Sequence, residues 1–313
     1  MRIVQISTNQ FPLPPPHYGG IERVIFHLSN RLATMGHEVI AYAKAGSKIN
    51  GKVIEYPANV RNMEAFIKRT LPSGVDIIHD HVLMKDVHFG VKAPTIHTVH
   101  INTDVPMKHA VYVSQNQLNR LKKGRGTFIH HGIELDDYPL SLKKKDYLLF
   151  LGRIVDFKGT HTAINVARKT GLPLIIAGII SERGKQYHKT KIAPRIDQNQ
   201  IKYIGPVGGQ EKMKLLSEAR AVLFPSTANE TFGLVPIEAL ACGTPAFCFY
   251  SGALKETMQG IPELLCKNEE EMIRKVKSGG FPKPETLREY VSKRFTAEIM
   301  TQKYLNLYQK LLK

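Results

Sequence analysis

Residues 147–178 read YLLFLGRIVDFKGTHTAINVARKTGLPLIIAG. The apolar run Tyr147–Leu151 has the length and composition of a buried strand, Gly152–Gly159 is a polar loop, and Thr160–Thr170 carries helical spacing closed by Gly171. A second apolar strand follows at Leu174–Ala177. The same grammar opens the chain. Ile3–Ile6 predicts a strand, a proline-rich turn runs through Pro16, Ile21–Met35 is amphipathic and stops at Gly36, and His37–Tyr42 predicts the next strand. Two separate starts of an α/β unit in 313 residues imply two doubly wound α/β domains, not one long sheet. The polar SLKKKD after Pro139 marks the boundary near 139–146, giving domains 1–143 and 144–313. Further strands are expected at Val75–His79, Thr95–His100, Ala110–Ser114, Thr127–His130, Lys202–Ile204, Ala221–Pro225 and Pro245–Phe249. Residues 297–312 predict a closing helix, with Met300, Tyr304, Leu307, Leu311 and Leu312 on one face.

Composition narrows the class. At 42% hydrophobic and 23% charged residues, the chain is neither disordered nor fibrous. No apolar run is long enough to span a membrane, and MRIVQIST is too short for a signal peptide, so the expected location is cytoplasmic. Cys242, Cys248 and Cys266 lack metal spacing and read as core thiols. The net charge of +17 suggests a polyanionic partner. It divides as +8 over residues 1–145 and +9 over the remainder, with local clusters at Arg120, Lys122, Lys123 and Arg125 and at Lys143–Lys145. That spread fits a solvated surface first, then an anionic membrane or acceptor; the lack of interleaved aromatics disfavours nucleic acid.

Loops after strands are where doubly wound folds bind ligands. Gly19-Gly20, opening the first helix, lets an anion approach backbone amides, although a plain turn has the same signature. Arg153 and Lys158 stand at the two ends of one strand-to-helix turn, where both can converge on a diphosphate or simply face solvent. The third loop is FPSTANETFGLVPIEALACGTP, residues 224–245. From Leu234 to Cys242 only Glu238 interrupts an apolar surface, so a buried helix with one carboxylate inside is predicted. Sugar hydroxyls would satisfy that carboxylate; so would a structural Arg or backbone amides. Glu230 and the amides at Phe232-Gly233 border the same polar pocket.

The E-x7-E spacing of Glu230 and Glu238, together with GRIVDFKG, GGIERV and YIGPVG in that family's order, resembles the retaining glycosyltransferases of family 4. The resemblance spans nearly the whole chain and is densest over 147–257. It implies the GT-B architecture, two facing Rossmann-like domains with a C-terminal helix able to return to the first. It implies transfer with retention in the cleft between the domains, with no metal and no cofactor. The donor would be a nucleotide sugar; PPPHYGGIERV is most similar to users of UDP-glucose, including pterin glucosyltransferases. Arg153 and Lys158 then match the pair that neutralises the donor diphosphate. Glu238 matches the carboxylate that holds the ribose, and Glu230 the group contacting the donor sugar, together with Thr231 and the amides of Phe232, Gly233 and Leu234. Gly205, Pro206 and Val207 correspond to backbone that meets the base, Gly19 and Gly20 to the loop closing on phosphate, and His100 to a histidine near the reacting sugar. His100, Glu230, Arg153 and Lys158 form the implied catalytic group.

His81 is the second histidine candidate after His100; most of the thirteen histidines read as ordinary core or surface residues. His97 and His100, three apart on one strand, should face opposite sides. No Asp-x-Asp occurs, which argues against a metal site. The acceptor is expected to be a hydroxyl on a small molecule, a glycan or a lipid-linked sugar, and Lys108 with the Arg120–Arg125 cluster could hold an anionic one. Rival readings are a UDP-sugar epimerase of the same fold, a Rossmann oxidoreductase, which the missing G-x-G-x-x-G disfavours, and a basic nucleic-acid-binding protein.

Overall fold

The computed structural model describes residues 1–84, 89–104 and 106–313. The chain divides into two compact units, residues 1–134 with 295–313 and residues 135–294. The first unit begins with β1 (Arg2–Ile6), α1 (Gly20–Thr34), β2 (Glu38–Ala43), β3 (Lys52–Glu55), α2 (Met63–Thr70) and β4 (Ile77–Asp80). It continues through β5 (Thr95–Val99), β6 (Ala110–Tyr112), α3 (Gln115–Lys122) and β7 (Thr127–Phe128). The strands form one sheet in the order β3-β2-β1-β4-β5-β6-β7, and every pairing is parallel.

Parallel strands covered on both faces should be apolar throughout, and β2 illustrates this. Ile40 and Tyr42 pack with Val4, Ile6 and Ile78 on one face, while Ala41 and Ala43 pack with Leu13 and Ile25 on the other. Helix α1 buries Val24, Ile25, Leu28 and Leu32, the three- and four-residue spacing of a single stripe. Asn62 and Ser114 cap α2 and α3 through side-chain acceptors, satisfying helix amides that would otherwise lack partners.

The second unit runs β8 (Leu148–Leu151), α4 (Thr160–Thr170), β9 (Leu174–Ala177), the short α5 (Lys185–Tyr187), β10 (Ile201–Tyr203), α6 (Gly209–Glu218) and β11 (Ala221–Phe224). Then come α7 (Leu234–Ala241), β12 (Ala246–Phe249), α8 (Leu254–Thr257), β13 (Leu265–Cys266), α9 (Glu269–Ser278) and α10 (Pro284–Ser292). Its sheet order, β10-β9-β8-β11-β12-β13, repeats the winding of the first. The chain then rejoins the first unit as α11 (Ala297–Leu311), which Thr296 caps and which packs against α1. The two doubly wound parallel sheets bear out the expected α/β class.

The division falls at Glu134/Leu135 rather than at 143/144, and the closing helix lies with the first unit. The reason is in the polar segment read as a linker. Tyr138 is buried against Glu238, and Lys145 pairs with Glu218, both within the second unit. Lys144 is no surface cation either. Its Nζ donates to the Ser217 carbonyl at 2.8 Å, the Cys242 carbonyl at 3.1 Å and Thr244 Oγ1 at 2.8 Å, closing the carboxyl ends of α6 and α7 where carbonyl dipoles favour a cation. Burial lowers its pKa to about 8. In the Arg120–Arg125 cluster, Arg120 donates to Asn102 and Lys122 pairs with Asp104. All three cysteines are buried and unbridged, as expected.

Candidate active site

Each sheet reverses its strand order once, between β1 and β4 in the first unit and between β8 and β11 in the second. Such switch points leave a crevice at the carboxyl ends of the strands. In the second unit, β8 feeds Gly152–Gly159 and β11 feeds Pro225–Gly233, so the two loops singled out from sequence emerge side by side. Thr227 N donates to the Phe157 carbonyl at 2.9 Å, and Ser226 Oγ reaches the same oxygen at 3.2 Å. Gly159, at φ +74°, lies so near the Pro225 carbonyl that a Cβ would strike it.

Lys158 Nζ donates to Glu230 Oε1 at 2.6 Å, and Ser226 Oγ donates to the same oxygen. The ammonium also stands 5.1 Å from the centre of the Phe224 ring. The loop holding Glu230 is braced from behind: Ala253 N donates to the Glu230 carbonyl at 2.8 Å, and Gly252, at φ +51°, leaves room for the Glu230 backbone. Arg153 differs from Lys158. Its guanidinium stacks over Phe157 at 6.0 Å, and its Nε is buried with no hydrogen-bond partner among the described residues. A half-buried cation left in that condition is a donor fork held ready for an anion.

Two helices open on this crevice without side-chain caps. Helix α4 begins after Gly159, and α7 begins after Gly233 at φ +93°. A Cβ on Gly233 would lie 2.5 Å from Leu254 Cδ2, so the tight entry into α7 demands glycine. Thr231, Phe232, Gly233 and Leu234 therefore lead their backbone into a helix start whose amides and dipole favour negative charge.

Glu238, one turn into α7, is buried as predicted, but it is not waiting for a cation. Lys212 Nζ donates to its Oε1 at 2.6 Å and Tyr138 Oη donates to the same oxygen at 2.9 Å. Of the partners left open by the sequence, a structural cation is present: α6 supplies the counter-charge from 26 residues upstream. Neither partner was legible: Lys212 looks like one more basic residue on an amphipathic helix, and Tyr138 sits in what reads as a linker. Gly205, at φ +81°, ties the loop after β10 to the end of β9 through Gly178 N to its carbonyl at 2.8 Å; Pro206 is exposed and Val207 buried.

In the first unit, Gly19 at φ +145° precedes α1 and has no space for a Cβ beside Pro15. Here the sequence reading missed Glu22. Its buried carboxylate takes the Thr8 hydroxyl and lies against Gly19 and the start of α1, so Gly19 and Gly20 do not face an empty helix end.

His100 lies at the end of β5 in a buried row. Its Nε2 is 2.9 Å from His81 Nδ1 and its Nδ1 is 3.4 Å from His131 Nε2, while His81 Nε2 is 2.8 Å from Gln5 Oε1. Burial, reinforced by the neighbouring imidazoles, pushes His79, His81 and His100 well below the ordinary histidine range and His131 to about 3. His97 faces the other way, with Nδ1 2.9 Å from Asp80 Oδ2, as its odd spacing from His100 requires. Among the described residues no cluster of three or more His, Cys, Asp or Glu side chains could hold a metal ion, and no helix is long and apolar enough to cross a membrane.

Comparison with known proteins fits this geometry. Residues 134–278 match the family model described as glycosyl transferases group 1. A solved glycosyltransferase of avilamycin A biosynthesis, AviGT4, superposes with a TM-score of 0.85 at 24% identity, covering 99% of this chain and 98% of that one. The Anabaena protein HepE, solved in complex with UDP and glucose, superposes at 0.77 with 16% identity over 99% and 100% of the two chains. Fold and matched domain together define the class: a glycosyltransferase with GT-B architecture. Among curated relatives, the D-rhamnosyltransferase WbpZ of Pseudomonas aeruginosa is 24% identical over 215 residues, and that match spans 56% of each chain.

Proposed function

We propose that the protein is a retaining glycosyltransferase of family 4 that moves glucose from UDP-glucose to a hydroxyl acceptor in the cytoplasm, without a metal ion. The observation that carries the reading is Arg153: a guanidinium whose buried Nε has no hydrogen-bond partner among the described residues, on the same loop as Lys158, which pairs with Glu230, and in a unit with two uncapped helix starts after these loops. That combination suits a diphosphate leaving group. Arg153 and Lys158 take the diphosphate, with the amides of Thr231 to Leu234 on the flanking phosphate oxygens. Glu230, whose second oxygen takes no hydrogen bond among the described residues, accepts from the donor-sugar hydroxyls. Glu238, oriented by Lys212 and Tyr138, holds the ribose. Gly205, Pro206 and Val207 border the base, and in the first unit Gly19, Gly20 and His100 serve the phosphate and the sugar.

Retention follows if the acceptor attacks on the face from which the diphosphate departs: the new glycosidic bond forms as the anomeric carbon–phosphate bond breaks, and the acceptor proton passes to the phosphate oxygen. Cations then do the work a metal would do, stabilising the charge that develops on the diphosphate. Support for UDP-glucose comes from the opening motif and from HepE, which was solved with UDP and glucose; WbpZ, named for rhamnose transfer, marks how far donors vary among relatives. The acceptor is a small molecule, a glycan or a lipid-linked sugar, with the Arg120–Arg125 face available to an anionic membrane.

The test is product analysis. UDP-, GDP- and ADP-sugars are incubated with a panel of hydroxyl acceptors, and products are read by mass spectrometry and proton NMR. Free UDP with an α-linked glucoside is the expected result. A β-linked product overturns retention, a GDP-sugar preference overturns the donor, and an isomerised donor with no acceptor consumed replaces transfer with epimerisation.

A further inference from the structure

Three imidazoles and one amide form a single hydrogen-bonded file at the switch point of the first sheet. Gln5 comes from β1, His81 from the end of β4, His100 from the end of β5 and His131 from the segment after β7. All four are buried. An imidazole–imidazole hydrogen bond needs one N–H and one bare nitrogen, so each link fixes the next. Gln5 Oε1 can only accept, which places the proton of His81 on Nε2 and leaves Nδ1 bare. His81 Nδ1 must then accept from His100 Nε2–H, and the bare His100 Nδ1 from His131 Nε2–H. With all three rings neutral, no other placement of the protons satisfies every link.

We infer that Gln5, His81 and His131 are positioning residues that impose one shared tautomer, protonated on Nε2, on His100. The inference rests on the proposed role of His100 beside the donor sugar. The neighbouring residues support it sterically. The His79 ring lies 4.0 Å from that of His81, its Nδ1 is 2.6 Å from Tyr308 Oη and its Nε2 2.6 Å from Thr98 Oγ1, which in turn meets Tyr304 Oη at 2.8 Å. His79 is thus clamped by α11 and β5, and the His81 ring cannot rotate without displacing it. Held neutral and in one tautomer, His100 offers a fixed pattern of donor and acceptor, as second-layer hydrogen bonds impose on catalytic imidazoles elsewhere.

The experiment uses the full chain labelled with 15N-histidine, whose ring nitrogens report protonated and bare states directly. Wild type should show His81, His100 and His131 all protonated on Nε2. Gln5→Met removes the acceptor and should release all three tautomers together. With UDP-glucose as donor, Gln5→Met should lower kcat by about tenfold to a hundredfold with KM little changed, because geometry and not binding is lost. His131→Asn, at the far end of the file, is the second variant should Gln5→Met not fold. A His100 protonated on Nδ1, or tautomers that respond one at a time, overturns the shared file. Coupled tautomers with an unchanged kcat overturn the positioning role. Coupled tautomers in a wild type that transfers no sugar leave the file standing and overturn the donor reading instead.

Discussion

Lys158 and Glu230 are joined at 2.6 Å although 72 residues separate them, one closing the loop after β8 and the other the loop after β11. Cation and carboxylate are both largely covered, with side-chain exposures of 16% and 12%. Removing either partner strands the other. Lys158→Met and Glu230→Gln should each cost about 2 to 3 kcal/mol of stability, and the double variant less than their sum. Activity should behave differently: every variant of the three should be deeply impaired, the double one included. Denaturant unfolding and turnover on the same preparations check both halves, and a double variant that recovers turnover would contradict a catalytic role for the pair.

Arg153 makes the complementary prediction. Since its buried Nε has no hydrogen-bond partner among the described residues, Arg153→Ala should leave melting of the free protein within about 0.5 kcal/mol of wild type. If UDP is the donor nucleotide, as proposed, it should raise the melting temperature of the wild type by mass action, equivalent to about 2.7 kcal/mol at a hundredfold excess over Kd, and Arg153→Ala should lose most of that shift. Arg153→Lys should recover only part, because an ammonium lacks the fork. A full UDP shift in the alanine variant would place the diphosphate elsewhere.

Glu238 sets a structural test. Lys212→Met leaves a buried carboxylate with Tyr138 for company and should cost about 3 to 5 kcal/mol, on the order of 10 °C in melting temperature. Lys212→Met with Glu238→Gln should regain most of it. Calorimetry on the three proteins decides; a single variant as stable as wild type would mean that the pair is not buried in solution.

The histidine row makes the first unit sensitive to acid. His79, His81, His100 and His131 are all held below the ordinary value, so each is neutral in the fold and able to protonate in the unfolded chain. Above about pH 6.5 they cost nothing; below it, the unfolded state binds protons that the native state refuses, and stability falls by up to about 1.4 kcal/mol per pH unit for each. Among the described residues, Asp80 engages His97, and the hydroxyl of Tyr308 meets His79 while that of Tyr304 meets its partner Thr98. Urea unfolding at intervals from pH 7.5 to 5 should show this decline, shallower in His131→Gln. A flat profile would show that the row protonates in place.

Much of this was written plainly in the sequence. Repeated strand–loop–helix openings announced two doubly wound sheets, and β8, β9, β11 and β12 lie within a residue or two of their predicted positions, because a central parallel strand must be apolar throughout. Strands β3 and β13 escaped notice: at four and two residues on sheet edges, they carry too little apolar pattern to stand out. The loops at Gly152–Gly159 and Pro225–Gly233 were legible because each follows an apolar strand and leads into a helix, and because charged residues and glycines fall there in the spacing of a known family. What supports them was not. Lys212, Tyr138, Gln5 and Glu22 act through partners far away in sequence, and only the packed structure pairs a buried charge with a distant helix.

The return of α11 to the first unit has a consequence during synthesis. Tyr304 and Tyr308 complete the row around His79, yet they are made after the entire second unit. Residues 135–294 are contiguous and can fold as they leave the ribosome, while the first sheet waits, lacking one of its covering helices. At about 5 to 20 residues per second, that wait is on the order of 10 to 30 seconds. The earlier-made half of this chain is thus the later one to mature, and in the interval its uncovered face is a client for chaperones.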